Sequence, residues 1–197
     1  MAMHRTARTH LCVLFAALTS MMCTLASTAS ALEAVYLVRH AEKEVGWPRG
    51  DGLDRLHPLS AKGIARAGAL ASRMHDVDLV AIAVSPTTRS IHTALPTATS
   101  HDLTIEVESS TTDRARAAAW LEQTIAAHPG PGALLIVGHS NTIPWWLEFL
   151  GADATCHERL GITEASYGPA TEFYDGLWKI RLDAGGCEAI ELHRFGR

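Results

Sequence analysis

Two histidines and two arginines are the residues of this chain best placed to do chemistry together. His40 lies just past the apolar run Ala34-Val35-Tyr36-Leu37-Val38, and His139 just past Ala133-Leu134-Leu135-Ile136-Val137. Both runs have the short, nearly continuous apolar character of strands buried on both faces. A third such run, residues 79–84, closes on Ser85-Pro86, and Arg89 begins the helix after it, while Arg39 adjoins His40. In open α/β sheets, ligands bind beyond the carboxyl ends of strands. The placement therefore aims two imidazoles and two guanidiniums at one sheet edge. A guanidinium fork grips phosphate oxygens in pairs and stays charged at any relevant pH. A lone histidine is more commonly a satisfied structural residue; four such groups converging describe a site for a dianion.

The elements that must hold these residues are legible in the same way. Ser60 can cap a helix whose apolar positions Ile64, Ala67, Leu70, Ala71 and Met74 recur at helical spacing. A second helix starts near Thr87, with Pro96 limiting or kinking it. Residues 103–107 read as a strand, and Thr111 or Thr112 as the cap of an Ala-rich helix that runs towards His128 and stops at Pro129-Gly130-Pro131. Residues 141–150 read as a helix with Pro144 in its first turn, where a missing N–H costs little. Residues 151–171 show no clear period. Residues 177–182 and 187–193 alternate around Gly185-Gly186, the pattern of a β-hairpin. Strands alternating with helices predict an α/β fold, a three-layer sandwich with a mostly parallel central sheet, helices on both faces and a C-terminal β-hairpin. No repeat or linker divides residues 32–197, which read as a single domain.

Three blocks carry a resemblance to a known family: Leu37-Val38-Arg39-His40-Ala41-Glu42-Lys43, Ser85-Pro86-Thr87-Thr88-Arg89-Ser90 with Thr93-Ala94, and Val137-Gly138-His139-Ser140-Asn141-Thr142. Their order and spacing resemble the histidine phosphatase superfamily, the phosphoglycerate mutase-like fold, and the later Glu172-Phe173-Tyr174-Asp175-Gly176-Leu177 segment looks like sequence of the same family. The resemblance implies that His40 is a nucleophile forming a phosphohistidine that water hydrolyses. It implies that Arg39, Arg89 and His139 hold the phosphoryl oxygens, with no cofactor or metal required.

The chain also departs from the family. Ala41 stands where the commonest pattern has glycine, a variant associated with small members, and Ser140 follows His139 where the acid-phosphatase and phytase branch has aspartate. Asp113 is the best-placed general acid for the leaving oxygen, although an acid in a helix's first turn equally complements the dipole. Glu106 and Glu108 are weaker choices. Without an acid, good leaving groups such as phosphohistidine or anhydrides become the better substrates.

Other reactive-looking residues have plainer readings. Trp145 and Trp146 read as core, and Lys43 and Arg55 as solvated loop charges that could extend a positive rim. The remaining histidines show no metal-ligand spacing, and no H-E-x-x-H, C-x-x-C or Walker-type glycine loop occurs.

The first 31 residues read as a cleaved export signal: Arg5 and Arg8 precede a short apolar stretch and Ala29-Ser30-Ala31 closes it. The apolar stretch is too short to span a bilayer, which takes roughly 20 residues, so no stable membrane insertion is expected after cleavage. Cleavage leaves 15 basic residues against 21 acidic, a net charge of −6, which disfavours nucleic-acid binding. It also leaves two cysteines, Cys156 and Cys187, expected to form a disulfide in an oxidising compartment, with two free buried thiols as the alternative. The expected product is a periplasmic or secreted phosphatase acting on a phosphorylated small molecule or phosphoprotein. The alternatives are a phosphoglycerate mutase-type phosphotransferase, disfavoured by export, and an inactive phosphate-binding envelope protein. Substrate and oligomeric state are not legible.

Overall fold

The structure is a computed structural model, and it describes residues 32–48, 50, 52–160 and 173–196. The export signal expected in residues 1–31 lies outside the described residues. So does much of the unpatterned stretch 151–171.

The chain runs β1 (Ala34–Arg39), α1 (Ala61–Met74), β2 (Leu79–Val84), α2 (Thr88–His101), β3 (Ile105–Val107), α3 (Arg114–Ala127), β4 (Ala133–Gly138), α4 (Ile143–Phe149), α5 (Ala154–Arg159), β5 (Gly176–Arg181) and β6 (Ile190–Arg194). One six-stranded sheet holds them in the order β3-β2-β4-β1-β5-β6. β1 to β4 are parallel, and β5 and β6 add an antiparallel hairpin at the β1 edge.

Strand alternation explains why the sheet needs helices on both faces. Val35 and Leu37 of β1 and Leu134 and Ile136 of β4 point into a core with Trp120 and Leu121 of α3 and Ile143, Trp146 and Leu147 of α4. Their neighbours Tyr36, Val38, Leu135 and Val137 point the other way, onto Leu70 and Met74 of α1 and Ala94 and Ala98 of α2. Every residue of β1 and β4 is buried, which is why both read as unbroken apolar runs. The expected three-layer α/β sandwich is what forms.

Several local expectations shift. Ser60 does cap α1, its Oγ accepting from the Gly63 N–H at 3.1 Å. Ile64, however, is 63% exposed; the buried face of α1 is Gly63, Arg66, Ala67, Leu70 and Met74. A buried arginine breaks the apolar stripe there because Glu42 pairs with it. The cap of α3 is Asp113, not Thr111 or Thr112, which belong to a preceding 3-10 turn over residues 109–112. Pro96 does not end α2, which continues to His101. β3 starts at Ile105, and residues 187–189 form a 3-10 turn before β6.

Candidate active site

β1 and β4 are parallel neighbours in register, Arg39 opposite Gly138. The His40 N–H donates to the Gly138 carbonyl at 2.9 Å, so the next residues, His40 and His139, leave the sheet side by side. Their rings meet edge to face with centroids 5.1 Å apart. Gly138 has no room for a side chain, because Thr142 Oγ1 fills the space where one would start. That hydroxyl accepts from the His139 N–H at 2.9 Å and ties the start of α4 to the histidine.

His40 is only 4% exposed. Its Nδ1 lies 2.8 Å from the Ala41 carbonyl oxygen. A carbonyl only accepts, so Nδ1 carries the proton and the lone pair sits on Nε2. Burial pushes the imidazole well below its usual pKa, and the charges of His139, Arg89 and Arg39 add to that against the opposing pull of the Ala41 bond. His139 is lowered to about 4, by burial first and then by Arg89. Both rings are therefore neutral at neutral pH: one presents a nucleophilic nitrogen, and the other has an N–H to donate.

The arginines are nearly buried, each 6% exposed. Arg39 Nη2 donates to the Tyr174 hydroxyl at 3.1 Å, and its guanidinium lies 4.0 Å from that ring's centroid. Arg89 Nη1 donates to the Asp54 carbonyl at 2.6 Å and Nη2 to the Asp54 carboxylate at 3.0 Å. Arg89 Nε is buried with no protein acceptor among the described residues. Thr93 links this helix to the residue after His40: its Oγ1 accepts from the Ala41 N–H at 2.9 Å and donates to the Arg89 carbonyl at 2.7 Å. Beneath the site, Arg66 makes three hydrogen bonds of 2.7–3.0 Å to the Glu42 carboxylate.

A cleft of about 330 Å³ opens onto this edge, lined by Arg55, Ser85, Thr87, Arg89, His139 and Asn141 among others. Arg55, read as a loop charge, thus reaches the cleft wall. Asp113 does not line it: its carboxylate accepts from the Ala115 N–H at 3.1 Å and pairs with Arg116 at 2.7 Å. Glu108 accepts from the Ser110 N–H, and Glu106 from the Trp120 indole. Asp54 had no signal of its own in the sequence, and Tyr174 had only its place in a family-like segment, since each acts through a distant arginine. Among the described residues, no group of three or more His, Cys, Asp or Glu could hold a metal ion.

Residues 35–113 match the histidine phosphatase superfamily, branch 1. Over that stretch the chain is similar to the histidine phosphatase superfamily. The matched stretch holds Arg39, His40 and Arg89; the sheet brings His139 to them. Over 76 residues the chain is 43% identical to Rv0525 of Mycobacterium tuberculosis, covering 38% of this chain and 37% of that protein. The solved structure of SixA from Agrobacterium tumefaciens matches with TM-score 0.57 at 24% identity, over 83% of this chain and 96% of that one. The mycobacterial glucosyl-3-phosphoglycerate phosphatase Rv2419c matches with TM-score 0.56 at 15% identity, over 82% and 96%. At these identities the two structures speak for the histidine phosphatase fold alone.

Proposed function

We propose that the protein is a metal-independent phosphatase working through a phosphohistidine on His40. The observation that carries this is the fixed tautomer of a buried, neutral His40, with Nδ1 held by Ala41 and Nε2 left as the nucleophile. The Nε2 lone pair attacks phosphorus, the bond to the leaving oxygen breaks, and the leaving group departs with that electron pair. Water then attacks the phosphohistidine, the P–N bond returns its pair to Nε2, and phosphate leaves. Arg39, Arg89 and His139 stabilise the equatorial oxygens, which is where phosphoryl-transfer catalysis gains most. Asp113, Glu106 and Glu108 are each engaged elsewhere, which supports substrates whose leaving group needs little protonation: acidic esters, phosphohistidine or anhydrides.

Export is part of the same proposal and is supported by the leader pattern in residues 1–31. The structure has both thiols free, with Cys156 buried, and burial and the adjacent Cys187 push the Cys156 thiol up to about 11. Their proximity supports a disulfide once the chain meets an oxidising compartment. A 2 Da mass difference on reduction of the secreted protein would test it.

The test of catalysis is p-nitrophenyl phosphate hydrolysis with EDTA present, beside a His40→Ala variant. Wild-type turnover lost in the variant supports the mechanism. Equal rates in both would overturn it.

A further inference from the structure

We propose that the cleft beside the phosphate pocket is a leaving-group subsite, built to take a planar aromatic group on Trp47. The inference rests on the phosphatase reading above and adds a substrate class to it. This second cleft has a volume of about 560 Å³ and is lined by Lys43, Trp47, Pro48, Asp54 and His57 among others. Pockets of this size accommodate ring-sized ligands.

Asp54 makes the two clefts neighbours. It lines the second cleft, and its carboxylate bonds to Arg89, which lines the first. A phosphoryl group gripped by Arg89 thus lies one side chain away from the Trp47 cleft. In-line transfer sends the leaving group to the side opposite His40 Nε2, and the proposed subsite would receive it there.

The aromatic wall is held in position. Trp47 Nε1 donates to the Leu53 carbonyl at 3.1 Å, and the indole stacks on His57 with centroids 5.8 Å apart and planes 21° from parallel. His57 is fixed in turn, Nε2 lying 2.7 Å from the Glu44 carbonyl oxygen and Nδ1 4.0 Å from the Asp54 carboxylate. An indole clamped on a polar loop costs exposure of apolar surface, and a stacked ring from the substrate would cover it.

The test compares KM for 1-naphthyl phosphate and glycerol phosphate, and inhibition by inorganic phosphate, in the wild-type protein, Trp47→Ala and Trp47→Phe. Trp47→Ala should raise KM for the naphthyl ester about 3- to 10-fold, leave the glycerol ester and phosphate inhibition within about twofold, and be rescued by Trp47→Phe. A parallel rise in all three constants, or no change in any, overturns the subsite. If the wild type hydrolyses neither ester, it is the phosphatase reading that fails. Calorimetric affinities then decide the cleft: naphthyl phosphate should bind more tightly than inorganic phosphate in the wild type and lose that advantage in Trp47→Ala, and equal affinities would overturn it.

Discussion

The Asp54 carboxylate lies 3.0 Å from the Arg89 guanidinium, and the Asp54 backbone carbonyl accepts from the same group at 2.6 Å. Part of the fork expected to grip phosphate is thus engaged by an acid whose side chain is 67% exposed. The backbone contact anchors the loop, whereas the carboxylate is a contact that an incoming anion can replace. What burial Asp54 has would raise its pKa, but Arg89, by charge and hydrogen bond, holds the carboxyl below its ordinary range.

Replacing that carboxylate should therefore help anions bind. Asp54→Asn keeps the backbone contact and removes the competing charge, so KM for p-nitrophenyl phosphate should fall about 2- to 5-fold, as expected for an exposed ion pair of modest strength. A rise in KM would instead make Asp54 the residue that orients Arg89.

The neutral histidines set the pH behaviour. His40 and His139 both titrate below the usual imidazole range, so kcat/KM, corrected for substrate ionisation, should show no acid limb at pH 6.5. For stability, His139 at about 4 in the fold is depressed below its unfolded value near 6.5. The unfolded chain takes up the proton first, so this stabilisation is full above pH 6.5 and is lost as pH falls from 6.5 towards 4. It amounts to on the order of 3 kcal/mol. Urea midpoints across that range, for wild type and His139→Gln, would measure it; parallel curves would refute the assignment.

Gly63 offers a test whose sign is unambiguous. A methyl group on Gly63 would overlap the carbonyl oxygen of Glu42, in the loop that follows His40. Helix propensity alone predicts that Gly63→Ala stabilises α1 by about 1 kcal/mol. The overlap predicts the reverse, a loss of about 2 kcal/mol or more, readable in chemical denaturation.

Tyr174 should act on Arg39 chiefly through its ring. Tyr174→Phe keeps the face under the guanidinium and loses one hydrogen bond, so KM should rise less than about 5-fold. Tyr174→Ala removes both and should raise KM about 10-fold or more. Equal effects of the two would assign the role to the hydroxyl.

The sequence by itself determined the frame. Residues 34–38 and 133–137 read as strands buried on both faces because every side chain in them is apolar, a pattern that only a central strand with layers above and below needs. Placing a histidine just past each end then put both at one edge, and the parallel register of β1 and β4 made them neighbours. Helix caps were legible to within a turn: Ser60 as expected, Asp113 in place of Thr111 or Thr112. There, five small polar residues, Ser109 to Asp113, precede α3, and local chemistry does not choose among them.

Only the tertiary structure decided what those groups touch. Tyr174 meets Arg39 across 135 positions, and Arg89 meets Asp54 across 35. Ile64 fits a helical stripe yet faces solvent, while Arg66 is buried because the Glu42 carboxylate and the Phe195 and Gly196 carbonyls satisfy it. Periodicity and local propensity are properties of neighbouring residues. A buried charge is tolerated only where distant parts of the chain close around it, and that closure is written in no single segment.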